Sequence, residues 1–130
     1  MGTVYEAECP KCGYKKSFHM GSGLFALQLH RHLRFFDEKE QEEILKMERE
    51  NKIQRFQIEN QLGYCRHCGT LQEKTVLFVK GTDKRDYIMG SCCGACQKEL
   101  VLYGEQQLGR VPCPGCGQGE LKFSRTGQWD

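Results

Sequence analysis

The alternation of apolar and polar residues divides the chain into three regions. Residues 3–20 partly alternate, which predicts two short strands joined by a tight turn. Residues 24–62 carry many apolar residues at helical spacing, whereas short apolar runs after residue 69 predict a β-rich region. We therefore expect a small α+β fold in which a helical insertion, about residues 22–62, interrupts an N-terminal hairpin.

The insertion contains two predicted helices. The first would begin near Ser22 and contain the Leu- and Phe-rich stretch that ends at Phe36. Asp37 is placed to cap the second helix, because Glu40 follows three residues later as in a capping box. The apolar face of this helix would consist of Ile44, Leu45 and Met47. Residues 53–62 fit either a further helical turn or a strand.

Short apolar runs predict the strands of the C-terminal half. Residues 75–79 have the composition of a buried strand, and residues 86–89 follow a turn. Residues 99–103 and 120–123 flank cysteine pairs, and we expect these two runs to be the strands of a second hairpin.

The apolar content is low for a chain of this length. Leu, Ile, Val and Phe make up 28 of the 130 residues, about 22%, close to the level below which chains tend to be disordered. Such small cores usually need a metal or disulfides. No apolar run approaches the roughly 18 residues of a membrane span. The first residues also lack an export signal, so we expect a cytoplasmic protein with reduced thiols.

Cysteines carry the strongest chemical signal in the sequence. Eight of the nine form Cys-x-x-Cys pairs, a spacing that lets a tight turn direct two thiolates at one ion. Glycine follows three of the pairs and suits the backbone angle of such a turn, whereas Gln97 follows the third pair, which therefore departs from the pattern. The predicted metal ligands are Cys9, Cys12, Cys65, Cys68, Cys93, Cys96, Cys113 and Cys116.

Two pairs make one tetrahedral thiolate site, so the four pairs predict two zinc ions. The last two pairs are separated by 16 residues, a typical zinc-site spacing, which leaves the first two to join across 52 residues. We expect this sequential arrangement because short loops cost less chain entropy. Two alternatives are open. Either the middle pairs share one ion and the terminal pairs the other, or the first pair joins the third and the second joins the fourth.

Other cysteine chemistry is less favoured. Structural disulfides require an oxidising compartment, and a redox Cys-x-x-Cys requires a βαβ context. Iron–sulfur centres also use four thiolates, but glycine-flanked turns of this kind favour zinc. Cys92 is the ninth cysteine, and its spacing to Cys96 would let it replace Cys93 as a ligand.

Two segments, Cys9-Pro-Lys-Cys-Gly-Tyr14 and Cys113-Pro-Gly-Cys-Gly117, resemble the knuckles of zinc ribbons. With Gly21-Ser22-Gly23, they make the chain similar to small bacterial zinc-ribbon proteins over about half its length. The resemblance implies two ribbons with β-hairpin knuckles. The expected domains are an N-terminal ribbon with the helical insertion, residues 1–70, and a β-rich C-terminal ribbon, residues 71–130.

The sequence favours a non-enzymatic role. All-thiolate zinc sites are closed and usually structural, and the chain has no GxSxG, P-loop or HExxH motif. We therefore expect a protein-interaction or regulatory adaptor that contacts a protein partner through its helical insertion, with no small-molecule substrate. Within that insertion, residues 37–50 carry seven acids and three bases, a local charge of −4.

Charge bears on the alternative functions. The formal net charge of +2 counts cysteines as thiols, and two zinc–thiolate sites of charge −2 each would change it to about −2. General attraction to nucleic acid should then be weak. Basic residues beside aromatics around the knuckles and in the insertion nevertheless make RNA or DNA binding an alternative. A thiol-based redox sensor is a second alternative, motivated by Cys92.

Overall fold

The computed structural model describes residues 2–21, 29–117 and 119–129, except for the side chains of His30 and Arg31. These residues form one seven-stranded antiparallel sheet with a short helical segment, which confirms the expected α+β class. The strands are β1 (Gly2–Glu8), β2 (Lys15–Gly21), β3 (Ile53–Cys65), β4 (Thr70–Gly81), β5 (Asp86–Met89), β6 (Val101–Tyr103) and β7 (Lys122–Trp129). The helices are α1 (Leu29–His32) and α2 (Glu38–Arg49), with 3-10 turns at Leu33–Phe35 and Glu105–Arg110. No described helix has both the length and the apolar character that a membrane crossing requires.

The order of strands in the sheet differs from their order in the chain. It runs β5-β4-β3-β2-β1-β7, and β6 pairs with β3. The long β3 pairs with β4 along its whole length, from Ile53 opposite Gly81 to Cys65 opposite Thr70. On its other edge, β3 meets β2 at Asn60 and β6 at residues 62–64. The β3–β4 hairpin is therefore the centre of the sheet.

Pairing of β1 with β7 joins the two ends of the described chain. Gly2 lies opposite Trp129, and Glu8 lies opposite Lys122. The Trp129 indole N–H donates to the Met20 carbonyl over 2.9 Å, and its ring meets the His19 imidazole edge-on at a centroid distance of 5.9 Å. Gly2 is required here, because a Cβ at this position would lie 2.1 Å from the indole nitrogen.

These pairings correct the expected second hairpin. The run 99–103 supplies only β6, and the run 120–123 supplies the start of β7. The two strands were expected to belong to one ribbon, but β6 pairs with β3 and β7 pairs with β1. Around residue 70, β3 and β4 form one hairpin, and the expected division into residues 1–70 and 71–130 stays a prediction.

Helix α2 begins as the sequence predicts. The Asp37 carboxylate accepts from the Glu40 amide over 2.7 Å, and the Glu40 carboxylate accepts from the Asp37 amide over 3.4 Å. Ile44 and Met47 are buried against the sheet, whereas Leu45 is 37% exposed and does not belong to the buried face. The expected first helix is described only from Leu29, so the predicted cap at Ser22 lies outside the described residues.

The ambiguous run 53–62 is part of strand β3, and the preceding helix α2 ends at Arg49. Its apolar residues complete the core between α2 and the sheet, which consists of Leu29, Phe36, Ile44, Met47, Ile58, Leu77, Val79 and Met89. A second core lies between β1, β2, β3 and the C-terminal residues, and it consists of Ala7, Cys9, Phe18, Met20, Leu62, Leu71, Leu108, Val111, Cys113 and Leu121. A third, smaller core contains Cys65, Cys93 and Leu100. Cysteines therefore belong to two of the three cores.

Candidate metal centres

The structure brings the eight paired cysteines together in two groups of four. Within each group the four sulfur atoms lie within 4.8 Å of one another. We name the group from the first and last pairs the outer centre, and the group from the two middle pairs the inner centre. The outer centre contains Cys9, Cys12, Cys113 and Cys116, and the inner centre contains Cys65, Cys68, Cys93 and Cys96.

This arrangement corrects the expected pairing. The sequential arrangement is wrong, and the structure has the nested alternative, in which the terminal pairs meet and the middle pairs meet. The β1–β7 ladder explains the outer centre, because its register places Glu8, just before Cys9, opposite Lys122. The β3–β6 pairing has the same effect on the inner centre, since Tyr64 lies opposite Val101.

Each Cys-x-x-Cys turn is closed by the same backbone hydrogen bond. The carbonyl of the first cysteine accepts from the amide four residues later, at 3.0 Å from Gly13, 2.8 Å from Gly69, 3.0 Å from Gln97 and 2.9 Å from Gly117. All four donors have a left-handed backbone, with φ between 65° and 79°. Gln97 was expected to make its turn different, but it adopts φ 65° like the glycines. This conformation is less favourable in energy for a residue with a side chain than for glycine.

Distances between the sulfur atoms fit a single tetrahedral ion. Cys9 and Cys116 are 3.8 Å apart, Cys12 and Cys113 are 3.5 Å apart, and Cys65 and Cys96 are 3.6 Å apart. A tetrahedron with metal–sulfur bonds of about 2.3 Å has sulfur–sulfur edges of about 3.8 Å. All nine cysteines are free thiols. Because none of the ligands is tied up in a disulfide, each group could hold a metal ion.

Burial is graded in the same way in both centres. The first cysteine of every pair is at most 1% exposed: Cys9, Cys65, Cys93 and Cys113. The second cysteine is exposed in Cys12 and Cys68 and partly buried in Cys96 and Cys116. An ion in either centre would therefore lie where the apolar core meets the solvent, with two ligands anchored in the core.

Donors to sulfur and close-fitting glycines complete the two centres. Backbone amides donate to Cys65 from Cys68 over 3.3 Å, to Cys93 from Ala95 over 3.4 Å and to Cys113 from Gly115 over 3.3 Å. These hydrogen bonds stabilise the negative charge of the thiolates.

Two glycines fit closely against the sulfurs of the outer centre. A Cβ on Gly115 would lie 3.2 Å from the Cys12 sulfur, and a Cβ on Gly119 would lie 3.2 Å from the Cys9 sulfur.

The thiols of one centre differ strongly in acidity. The Cys96 backbone amide, followed by the Gln72 side chain, lowers the pKa of Cys93 to about 6. Hydrogen bonding with the Cys96 thiol and burial raise the pKa of Cys68 to about 12. In the outer centre, the Tyr14 amide acts to lower the pKa of Cys12, but the Cys113 thiol and burial outweigh it and raise that pKa to about 12. Without a metal, each cluster therefore retains protons at neutral pH.

Cys92 lies outside both groups. It is exposed, whereas Cys93 is fully buried among the inner ligands. The possible exchange of Cys92 for Cys93 is therefore not the arrangement in the structure.

Sequence reasoning missed Gln72, whose amide contacts Cys93, and the two close glycines of the outer centre. The glycine-rich string around Cys113 was a usable signal for the glycines, whereas nothing in the sequence marks Gln72.

Comparison of the chain with protein-family models, with curated proteins and with solved structures found no match. The sulfur geometry therefore carries the assignment, and it supports two four-cysteine metal centres.

Proposed function

We propose that the protein is a non-enzymatic zinc-binding module that serves as a protein-interaction adaptor. The observation that carries the metal part of this proposal is the geometry of the eight sulfurs. In each group the four sulfurs lie within 4.8 Å of one another, and the pairs Cys9–Cys116, Cys12–Cys113 and Cys65–Cys96 are 3.8, 3.5 and 3.6 Å apart. These values match the edges of a zinc–thiolate tetrahedron.

Zinc is the metal that best fits these ligands. Soft thiolates in a tetrahedron select zinc or iron, and zinc is the usual ion in closed four-cysteine sites of this spacing. A cluster of several iron atoms would occupy the space between the sulfurs and needs them further apart. With four thiolates on each ion, no coordination position is open to a substrate, which supports a structural role.

The two ions would hold together parts of the chain that the small core joins only weakly. The outer centre would link the β1–β2 hairpin to the residues that precede β7, and the inner centre would link the β3–β4 hairpin to the residues that precede β6. In this proposal zinc makes a rigid platform, and the surface of that platform binds the partner.

The helical segment offers the surface that we propose for a protein partner. Among the described residues, the large exposed hydrophobic side chains are Phe35 (52%), Leu45 (37%) and Ile88 (52%). Phe35 precedes α2 and Leu45 lies on it, within residues 37–50, which carry a charge of −4. The partner would therefore present a basic surface with an apolar contact.

Two measurements test the proposal. Elemental analysis of protein purified anaerobically should find two zinc ions per chain, and fewer than two would contradict the metal assignment. Affinity purification with zinc-loaded protein should then recover a partner that is lost with Leu45→Ser and Phe35→Ser. Ile88→Ser is the matched control, because Ile88 is as exposed as Phe35 but lies on β5. Equal recovery by all three variants would contradict a docking site on the helical segment.

Nucleic-acid binding is a second candidate, favoured by one feature of the same segment. The exposed Phe35 ring lies 5.0 Å from the Arg34 guanidinium and 5.7 Å from the His32 ring. Aromatic rings beside cations can stack on unpaired bases, but the acidic α2 follows directly. A low-salt gel shift with single-stranded RNA, lost in Phe35→Ser, would support this candidate, and the absence of any shift would reject it.

A further inference from the structure

Gln72 connects the two halves of the inner centre by polar contacts to a ligand sulfur and to its turn, in addition to the more distant contact of Lys98 with His67. It lies on β4, four residues after Cys68, and therefore belongs to the hairpin that carries Cys65 and Cys68. Its amide nitrogen donates to the Cys93 sulfur over 3.1 Å, and its carbonyl oxygen accepts from the Gly94 amide over 3.3 Å. Both contacts reach the turn that carries the other two ligands.

The local structure orients this amide. The Gln72 nitrogen also donates to the Thr70 hydroxyl over 3.0 Å on the same strand. Its carbonyl is directed to the Gly94 amide, so the NH₂ group is the part of the side chain that faces the sulfur. The site is not crowded here, because even a Cβ on residue 94 would be 3.9 Å from the Gln72 oxygen, an ordinary van der Waals distance.

A hydrogen bond to a metal-bound thiolate has two physical effects. It withdraws electron density from a centre whose four thiolates and divalent ion carry a net charge of −2, and it fixes the direction of the sulfur lone pairs. Cys93 receives a second such bond from the Ala95 amide. A protein group that both neutralises charge on the ligand and holds the ligand's turn in place should slow the opening of the site.

We propose that Gln72 is a positioning residue of the inner centre, which holds the Cys93 turn against β4 and slows the release of the bound ion by donating to the Cys93 sulfur. This inference rests on the zinc binding proposed above. Gln72 does not bind the metal itself, but in this inference it determines how readily the inner ion exchanges.

The test uses the full chain loaded with two zinc ions. Transfer of zinc to an excess of a chromophoric chelator should be about tenfold faster for one of the two ions in Gln72→Leu, with the other ion unchanged, as expected for the loss of an outer partner of a ligand. Gln72→Glu keeps the acceptor for Gly94 but replaces the donor with a negative oxygen, so it should release the ion at least as fast as Gln72→Leu. Gln57→Leu is the matched control, because Gln57 lies on the neighbouring strand and its amide donates to Glu59.

Cadmium-113 NMR separates this role from a general loss of structure. The cadmium-loaded protein should give two resonances, and only one should move in Gln72→Leu and Gln72→Glu, while neither moves in Gln57→Leu. Unchanged release rates and unchanged resonances in a protein that binds two ions would overturn the role of Gln72 but not the proposed zinc binding. A wild-type chain that binds no metal would instead overturn the proposed function. Release from Gln72→Glu at the wild-type rate would also contradict the inference, because it would show that the donor has no effect.

Discussion

The two metal centres use the same turns but close very different lengths of chain. The outer centre joins cysteines on either side of 100 residues, from 13 to 112, whereas the inner centre closes a loop of 24 residues, from 69 to 92. The longer closure costs only about 1 kcal/mol more chain entropy. The β1–β7 ladder, which extends over residues 2–8, easily outweighs that difference. Sheet pairing rather than loop length therefore determines which cysteines meet.

The centres also differ in what depends on them. The outer centre holds the edge of the sheet formed by β2, β1 and β7, whose backbone pairing with β3 is limited to Gly21 opposite Asn60. The inner centre is attached to the β3–β4 hairpin, which has a continuous ladder and the α2 core of its own. Loss of one ion should therefore have a local effect, and the region that opens should identify the centre.

Removal of both ions should have the largest effect. Structural zinc contributes about 10 kcal/mol or more per site, and the three small cores cannot replace it. We expect a strong chelator at neutral pH to abolish the near-ultraviolet circular dichroism, and zinc to restore it. Retention of the full signal in metal-free protein would show that neither centre supports the fold.

Single ligand substitutions should separate the centres. Cys113→Ser should open β1, β2 and β7 and leave the β3–β4 hairpin with α2 protected, because only the outer ion is lost. Cys93→Ser should open residues 91–103 and spare the β1–β7 ladder. Hydrogen exchange measured by mass spectrometry, peptide by peptide, checks both patterns. Loss of protection in the same peptides for both variants would contradict the nested arrangement.

Zinc affinity should fall as the pH is lowered. The pKa values of Cys12 and Cys68 are raised to about 12 in the metal-free clusters, so each centre must release at least one proton when it binds zinc near neutral pH. Lower pH favours the protonated, metal-free state, and one released proton corresponds to tenfold weaker affinity per pH unit. Competition titrations between about pH 6.5 and 8 measure this slope. A slope of zero would show that the clusters are already ionised without metal.

Glycine substitutions next to the sulfurs should have the smallest effect. Gly115→Ala would place a Cβ 3.2 Å from the Cys12 sulfur and 3.5 Å from the Cys113 sulfur, so the outer centre must widen, at a cost of about 1 kcal/mol. Gly94→Ala at the inner centre meets only the Gln72 oxygen at 3.9 Å and should be tolerated. Zinc affinities of the two variants test this difference. Equal losses of affinity would mean that the outer centre is not more closely packed around its glycine than the inner centre.

Local features of the fold could be predicted from the sequence because local chemistry determines them. The eight ligand candidates followed from their spacing, and the start of α2 followed from the reciprocal bonds of Asp37 and Glu40. The strand character of residues 53–62 could not be decided, since apolar residues at 53, 56, 58 and 62 fit both a helix and a strand.

Features that depend on distant parts of the chain were not predictable in the same way. The nested pairing depends on β7 meeting β1, and an entropy difference of about 1 kcal/mol was too small to decide between pairings. Gln72 contacts Cys93 from 21 residues away, so its position matters only once β4 is paired and twisted. Gln97 departs from the glycine rule because the surrounding turn stabilises its left-handed backbone.

The position of Trp129 has a practical consequence. It is the one tryptophan in the sequence, and its indole is fixed to the Met20 carbonyl and the Gly2 backbone, at the end of the β1–β7 ladder opposite to the outer centre. Its fluorescence emission should therefore report whether the β2-β1-β7 edge is closed, and should be insensitive to events confined to the inner site. A stopped-flow recording of that emission during chelation would give the rate at which that edge opens after the outer ion is lost, without any label.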